Sequence, residues 1–492
     1  MTSPAFLLPI CVILPLLGAF VVFASGRWNP ARVVLSILPF GLLVAVLILR
    51  QVVMTDAAVT TALSGFAPPL GIALRADGLS AVLLVLTAIV LGAIALYSRA
   101  ALPARGRMPD SFWFLLLSCW CALNLAFLAN DLFTLFVALE VLTFSAVPLV
   151  CLEGGAATVR AALRYLMFAL FGSVLYLLGA ALFYGVFGTL DIALIASLAR
   201  AGPPGSHLVT GFALAVMVAG LAAKAALFPF HLWLPPAHAG APAPASALLS
   251  ALVIKAPIFL ILRLMADLAP ATPAVGQVLG GLGAGAIVIC GLFALRQTRL
   301  KLLIAYSTAA QVGYIFLIFP LADAATPWIS LAWTAGVLHM AAHAMAKAAM
   351  FLAAGIIAEV LGHDRISGLG GAARVLPVTL FAFGLGGLSL MGLPPSGGFN
   401  VKVMLLTAAV QQHAWGVALV VVMGGLLAAG YVLKVILPAL ARQAPVIVAP
   451  VPRARQTVAL ALAIGALLLG LTPLKPAHVL AIGRPVLSGG MP

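Results

Sequence analysis

Apolar runs of about 20 residues, each closed by a short polar or Pro/Gly-rich turn, follow one another from end to end of this chain. A helix rises about 1.5 Å per residue, so a run of that length spans the hydrocarbon core of a bilayer. Fourteen such spans are predicted, beginning near residues 5, 31, 76, 111, 131, 162, 208, 243, 275, 300, 328, 376, 414 and 456. The expected fold class is therefore an all-α polytopic membrane protein. The first run has no basic residue before it and no small-residue cleavage site, so it is expected to be a retained helix and not a secretory signal.

Two spans carry internal punctuation. In "AKAALFPFHLWLPPAHAGAPAPASALLSALVIK" a proline cluster that includes Pro235 and Pro236 follows Lys224. A second Leu-Pro-Pro, with Pro394 and Pro395, stands 159 residues later in "LSLMGLPPSGGFNVKVMLL", beside Lys402. Proline removes a backbone donor and clashes with the preceding turn, so both helices are expected to break. Two broken helices in corresponding halves point to an internal duplication whose freed backbone groups line an enclosed wet cavity. The plainer alternative is that proline and glycine only kink packed helices. A lysine beside each break weighs against it.

Composition then fixes the solvent. Sixty-four per cent of the 492 residues are apolar, 8% are charged and the mean hydropathy is +1.23, which excludes a soluble enzyme. The net charge of +15 suggests nucleic acid only until the basic residues are sorted by loop. Fifteen fall in alternate loops: Arg27, Arg32, Arg99, Arg105, Arg107, Arg160, Arg164, Arg296, Arg299, Lys301, Arg365, Arg374, Arg442, Arg453 and Arg455. The intervening loops hold five, Arg50, Arg75, Arg200, Lys475 and Arg484. The basic loops are expected in the cytoplasm and both termini outside. A bilayer, not nucleic acid, is the partner this charge pattern implies.

Six cations remain within or near the ends of apolar spans: Lys224, Lys255, Arg263, Lys347, Lys402 and Lys434. A charge at mid-bilayer costs about 2.5–3.5 kcal/mol on insertion scales, so such residues are paired, hydrated or neutral and by default mark function. Arg263 and Lys434 lie near helix ends and are expected to snorkel to the interface. The other four do not have that escape. Among the 11 acidic residues only Glu140, in "FVALEVLTFSAVP", falls mid-helix. It lies nine residues beyond Asp131, a helical rise of about 13 Å that puts it near the midplane. A carboxylate there keeps its charge only beside a cation. A merely structural ion pair is the alternative reading.

The segment "LHMAAHAMAKAAM", residues 338–350, sets His339, His343 and Lys347 at four-residue spacing. Their side chains form one stripe rising about 6 Å per step, a geometry suited to a chain of proton sites. Side chains that only satisfy carbonyls at the broken helices would account for it too. The two histidines have metal-ligand spacing, yet no carboxylate or thiol accompanies them and no metal is expected. The five cysteines lie in apolar spans at no iron–sulfur spacing, and no nucleotide fingerprint or nucleophile elbow is present. No cofactor or catalytic site is expected in this chain.

Glu140, "AAKAALFPFHLWLPPAHAGAPAPASALLSALVIKAPIFLILR", "LKLLIAYSTAAQVGYIFL", "LHMAAHAMAKAAMFLAAG" and "GLPPSGGFNVK", in this order, resemble the antiporter-like membrane subunits shared by respiratory complex I, Mrp cation/proton antiporters and membrane-bound hydrogenase or formate hydrogenlyase complexes. The resemblance covers nearly the whole chain. It implies fourteen helices containing two inverted five-helix repeats: helices 1–3 over residues 1–110, the first repeat over 111–270, the second over 271–440, and helix 14 with a short tail over 441–492. It also implies a central charged row, here Glu140, Lys224, Lys255, His343 with Lys347, and Lys402, with His339 extending the stripe.

The loop "LPPAHAGAPAPASAL" and a lysine at position 402 are closer to the hydrogenase-type and Mrp D-type branches. The short stretch after the last span carries no long lateral helix, which argues against the distal complex I subunit. The expected function is proton translocation along the row within a redox-driven complex in a prokaryotic inner membrane. Sister antiporter-like subunits are expected beside it, with an iron–sulfur/NADH or hydrogenase arm as a candidate partner. A sodium/proton antiporter subunit and a non-conducting structural module are the alternatives.

Overall fold

A computed structural model describes residues 4–24, 29–100, 109–201, 206–268, 273–322, 330–442, 446–450, 453–471 and 476–483. Arg27, Arg105, Arg107, Lys475 and Arg484 lie outside the described residues. The elements are helices α1 (Leu7–Ala24), α2 (Pro30–Thr55), α3 (Gly78–Ala100), α4 (Asp110–Leu128), α5 (Leu132–Val150), α6 (Ala156–Phe187), α7 (Ile192–Ala201) and α8 (Ser206–Lys224). They continue as α9 (Leu234–Gly240), α10 (Ala243–Leu268), α11 (Ala274–Arg296), α12 (Leu300–Leu321), α13 (Leu331–Leu361), α14 (Pro377–Met391), α15 (Gly397–Gln411), α16 (Trp415–Ala439), α17 (Arg453–Leu471) and α18 (Pro476–Ala481).

Twelve helices among the described residues are long and apolar enough to cross a membrane. The expected count of fourteen included the two punctuated spans, which here are the shorter apolar helices ending at Lys224 and Met391. The one departure from all-α among the described residues is a hairpin of β1 (Val59–Ala62) on β2 (Ala73–Ala76), antiparallel, with Val59 opposite Ala76. Its residues fell between the second and third spans, where hydropathy carries no signal.

Sidedness of packing follows from the solvent. On α16, Leu419, Leu426, Leu433 and Leu437 share an outward stripe and stay exposed, as lipid permits and water would not. Helix α10 is the opposite case: every residue from Pro244 to Leu268 is buried, Lys255 and Arg263 included. It carries Lys255 to the stripe on α13. Close helix approach is made by glycine. A Cβ on Gly172 of α6 would stand 2.6 Å from the Gly220 carbonyl oxygen of α8, and one on Gly220 would stand closer still to the Gly172 oxygen.

Both predicted breaks are present. Helix α8 stops at Lys224, Ala226 takes a φ of 54°, and a 3₁₀ turn over Phe230–Trp233 leads into the short α9. The indole of Trp233 donates to the Ala223 carbonyl at 3.0 Å and stacks on Tyr165 with ring centres 4.2 Å apart, so a side chain from beyond the break covers the broken end. At the second break Gly392 adopts a φ of 81° after α14, and Ser396 caps α15 by accepting from the Phe399 amide at 3.2 Å.

Two expectations about single residues are corrected. Arg263 does not snorkel: it is fully buried, donates to the Ala129 carbonyl at 3.0 Å and faces Asp77 at 3.9 Å. Arg455 is no loop residue: it sits in the first turn of α17, buried, donating to Glu359 at 2.8 Å and to the Tyr97 hydroxyl at 2.9 Å. In both cases a partner near a helix end, distant in sequence, offsets the cost of burial. Lys434 is near its helix end as expected, and donates to the carbonyls of Leu295 and Gln297 at 2.5 and 2.8 Å, the cation-to-carbonyl contact that closes helix C-termini.

Candidate functional site: a buried row of lysines and histidines

The row begins on α5. Asp131 caps this helix, its carboxylate accepting from the Thr134 amide at 2.8 Å, and that start sets Glu140 on the face toward α6 and α8. Lys224 is the last residue of α8, where the helix dipole favours a cation. Its Nζ lies 3.0 Å from Glu140 Oε1 and 3.1 Å from the Thr143 hydroxyl. The Ser173 hydroxyl donates to the same Glu140 oxygen. The lysine is 7% exposed, so this is a desolvated, hydrogen-bonded ion pair whose partners cannot be removed singly without stranding a charge.

Lys255 follows a widened π turn over Leu249–Val253 of α10. Such turns re-aim the next side chains and recur at functional sites. Its Nζ is 2.7 Å from His343 Nδ1 of α13. One turn away His339 places its ring centre 5.6 Å from that of His343 and its Nε2 2.9 Å from the Gln311 carbonyl oxygen of α12. On the other side Lys347 donates to the Ile304 carbonyl at 3.1 Å and to the Ser307 hydroxyl. The four-residue stripe read from the sequence is therefore present, buried, and faces α10 and α12.

Lys402, in the second turn of α15, reaches back across the break to donate to the Leu390 and Met391 carbonyls at 2.7 and 2.6 Å. Its ammonium also lies 5.1 Å from the Tyr314 ring centre. Pro394 and Pro395 lie in the second break, whereas Pro235 and Pro236 open α9, so the first interruption begins upstream of them, at Lys224. Glu140 is the one carboxylate that meets a row lysine among the described residues.

Sequence reasoning missed four buried or half-buried groups, two histidines near the first break and two polar side chains in the second half of the chain. His238 of α9 is fully buried against Phe351, ring centres 4.7 Å apart, and neither ring nitrogen has a hydrogen-bond partner among the described residues. His231 packs between Phe228 and Tyr306. Their seven-residue spacing across the proline pair was the available signal. Gln311 and Tyr431, on α12 and α16, lie in the second half of the row; nothing in an isolated Gln or Tyr in an apolar run announces that.

The family model described as "NADH:quinone oxidoreductase/Mrp antiporter, TM" matches residues 129–428, which contain every residue of the row. The chain belongs to this family. A relative named NADH-quinone oxidoreductase subunit N from Desulforudis audaxviator is 36% identical over 377 residues, 76% of this chain and 74% of that one. The D-type subunit of the Na(+)/H(+) antiporter of Alkalihalophilus pseudofirmus is 29% identical over 430 residues, 86% of this chain and 85% of its own. Among solved structures, a chain of the Mrp complex from Dietzia sp. DQ12-45-1b superposes with a TM-score of 0.86 at 26% identity, covering 98% of this chain and 97% of that one. The antiporter-like resemblance read from the motifs thus holds over nearly the full length, and this is a multi-pass membrane subunit. Proteins of both named kinds are similar to it, one at higher identity and the other over greater length.

Proposed function

We propose that this antiporter-like subunit moves protons along the row Glu140, Lys224, Lys255, His343 with His339 and Lys347, and Lys402, within a redox-driven membrane complex of the NADH:quinone oxidoreductase or membrane-bound hydrogenase kind. The observation that carries the reading is the Lys224–Glu140 contact of 3.0 Å at the C-terminal end of a broken helix. Paired, the ammonium is held by its carboxylate; a shift of either helix that parts them removes that hold and favours release of the proton. The release is passed to Lys255 and the imidazoles, which take and give protons on opposite ring nitrogens, and Lys402 delivers to the exit side. Electron carriers belong to partner subunits, and sister antiporter-like subunits stand beside this one.

The 36% identical quinone-oxidoreductase relative supports the redox branch. A sodium/proton antiporter subunit is the second reading, favoured by the near-complete coverage of the Mrp structure. Inverted repeats over residues 111–270 and 271–440, a prokaryotic inner membrane and termini outside belong to the same reading. Two broken helices with a lysine each, one per half, support the repeats. The deciding experiment isolates the tagged protein from native membranes in mild detergent and identifies by mass spectrometry what stays bound. Iron–sulfur, flavin or nickel subunits are the expected company; small membrane chains and sister subunits alone would make it part of an exchanger. Lys224→Met is expected to abolish proton translocation in a fully assembled complex, and normal translocation would remove the row from the mechanism.

A further inference from the structure

The stripe on α13 does not stop at Lys347. At the same four-residue spacing come Phe351, Gly355 and Glu359, and each meets a different neighbour. Phe351 stacks on His238 of α9. A Cβ on Gly355 would collide with the Cβ of Ala243, the first residue of α10, and stand 3.2 Å from the Tyr97 hydroxyl of α3. Glu359 accepts from Arg455 of α17 at 2.8 Å. Arg455 also donates to the Tyr97 hydroxyl at 2.9 Å and lies over the ring, 4.7 Å from its centre. That hydroxyl in turn donates to the Leu352 carbonyl of α13 at 3.1 Å. Tyr97 and Arg455 are buried and Glu359 is half-buried, yet the proton row uses none of the three.

This cluster sits where α10 and α13 touch at Ala243 and Gly355. Lys255 lies twelve residues after Ala243 on α10, and His343 lies twelve residues before Gly355 on α13. The helices run antiparallel, so two equal lengths of about 18 Å lead from the crossing to the 2.7 Å contact between Lys255 and His343. A screw motion of one residue shifts a helix by about 1.5 Å and turns its face by about 100°, enough to part that contact. The contacts inside the row are poor guards against such a slip, because they break and re-form as protons pass. A buried ion pair adds little net stability, and the role it serves best is to fix register.

We infer that Arg455, Glu359 and Tyr97 are positioning residues that lock the register of α13 against α10 and so keep His343 within reach of Lys255. The inference rests on the proton reading of the row and adds to it a lock that lies outside the proton path. Rigid helices carry the constraint from the cluster to the stripe. The lock stays closed while the hydrogen bonds of the row exchange.

The test uses inverted membrane vesicles holding the intact complex. A fluorescent ΔpH dye reads proton translocation per assembled complex, and native gels read assembly. Tyr97→Phe keeps the ring and removes both hydroxyl bonds, and Arg455→Met removes the ion pair. Both Arg455 bonds leave one nitrogen, Nη2, so Arg455→Lys keeps a donor and the charge. Translocation per assembled complex is expected to fall several-fold in Tyr97→Phe and Arg455→Met, with the pH profile of the remainder displaced from wild type, and to recover largely in Arg455→Lys. Reduced assembly with wild-type translocation per complex, or a lower rate on an unmoved pH profile, would make the cluster a structural tie only and overturn the inference. Where Arg455→Met fails to assemble, Glu359→Gln, which keeps the shape and removes the charge, is read in its place. Lys224→Met, measured in parallel, separates the two levels. If it pumps normally the proton reading itself has failed, whereas its silence together with wild-type translocation in the cluster variants removes only the lock.

Discussion

At the scale of single residues, what distinguishes this chain is how little acid accompanies its buried base. Lys255 and Lys347 are fully buried and Lys402 is 8% exposed, yet the groups they meet are imidazole, hydroxyl and carbonyl oxygen. Among the described residues Lys224 is the one row lysine that meets a carboxylate, which makes Glu140 the natural control point. Removing one partner of a buried pair costs about 3–5 kcal/mol because the other charge is stranded, while removing both is far milder. Glu140→Gln is therefore expected to lower the thermal stability of the assembled subunit more than the double variant Glu140→Gln/Lys224→Met does, with proton translocation lost in both. Additive losses in a detergent unfolding series would show that the two side chains do not act as a pair. At this scale the sequence was largely legible. A charge in an apolar run is conspicuous because it is expensive, so Glu140 and the four lysines stood out. Arg263 and Arg455 were misread because cost depends on partners, and Asp77 and Glu359 are remote in sequence from the arginines they meet.

At the scale of elements, the distance between Glu140 and Lys224 is set by how closely α5, α6 and α8 approach. The glycine pair Gly172 and Gly220 lets α6 and α8 touch backbone to backbone, and Ser173, next to Gly172, donates to Glu140. A Cβ at position 172 would also come within 3.1 Å of the Lys224 Cγ. Gly172→Ala is expected to force α8 outward, costing about 1–3 kcal/mol as overpacking does and slowing proton translocation more than its loss of stability explains. Wild-type turnover in the assembled variant would show that the contact tolerates the added methyl and that helix spacing does not tune the pair. Hydropathy located these helices and proline their breaks, since both signals are local. It did not show which glycines sit at helix contacts, because that depends on partner helices. The π turn before Lys255 and the hairpin at Val59–Ala76 were equally silent, having no apolar period of their own.

At the scale of the whole molecule, the two ends of the bundle are built from different sets of loops, and these are the sets that the basic residues sorted. One end gathers Arg75, Asp77, Ala129, Asp131, Asp191, Asp267 and the Gly483 carbonyl, linked by the bridges Leu74 with Ala129 and Asp131 with Asp191, the facing pairs Arg75–Asp267 and Arg263–Asp77, and an Arg75 bond to Gly483. The other gathers Arg299, Asp364, Arg365, Val360 and Val448, through the Arg299–Asp364 pair at 3.0 Å, the Arg299 with Arg365 bridge and the Val448 to Val360 bond at 2.8 Å. Loops assigned to one side by charge therefore meet at one end of the structure. We propose that the arginine-rich end faces the cytoplasm, as the bias of basic residues toward cytoplasmic loops leads one to expect. Thr60 in the hairpin and Glu153 between α5 and α6 are both exposed and stand at opposite ends of this scheme. Four of the five cysteines are buried and Cys151 is partly so, hence the labelling background is Cys151→Ser. In intact cells a membrane-impermeant maleimide is expected to label Thr60→Cys and to spare Glu153→Cys until the membrane is permeabilised. The reverse pattern would turn the subunit over and exchange the entry and exit sides of the row, placing Lys402 at the mouth by which protons enter.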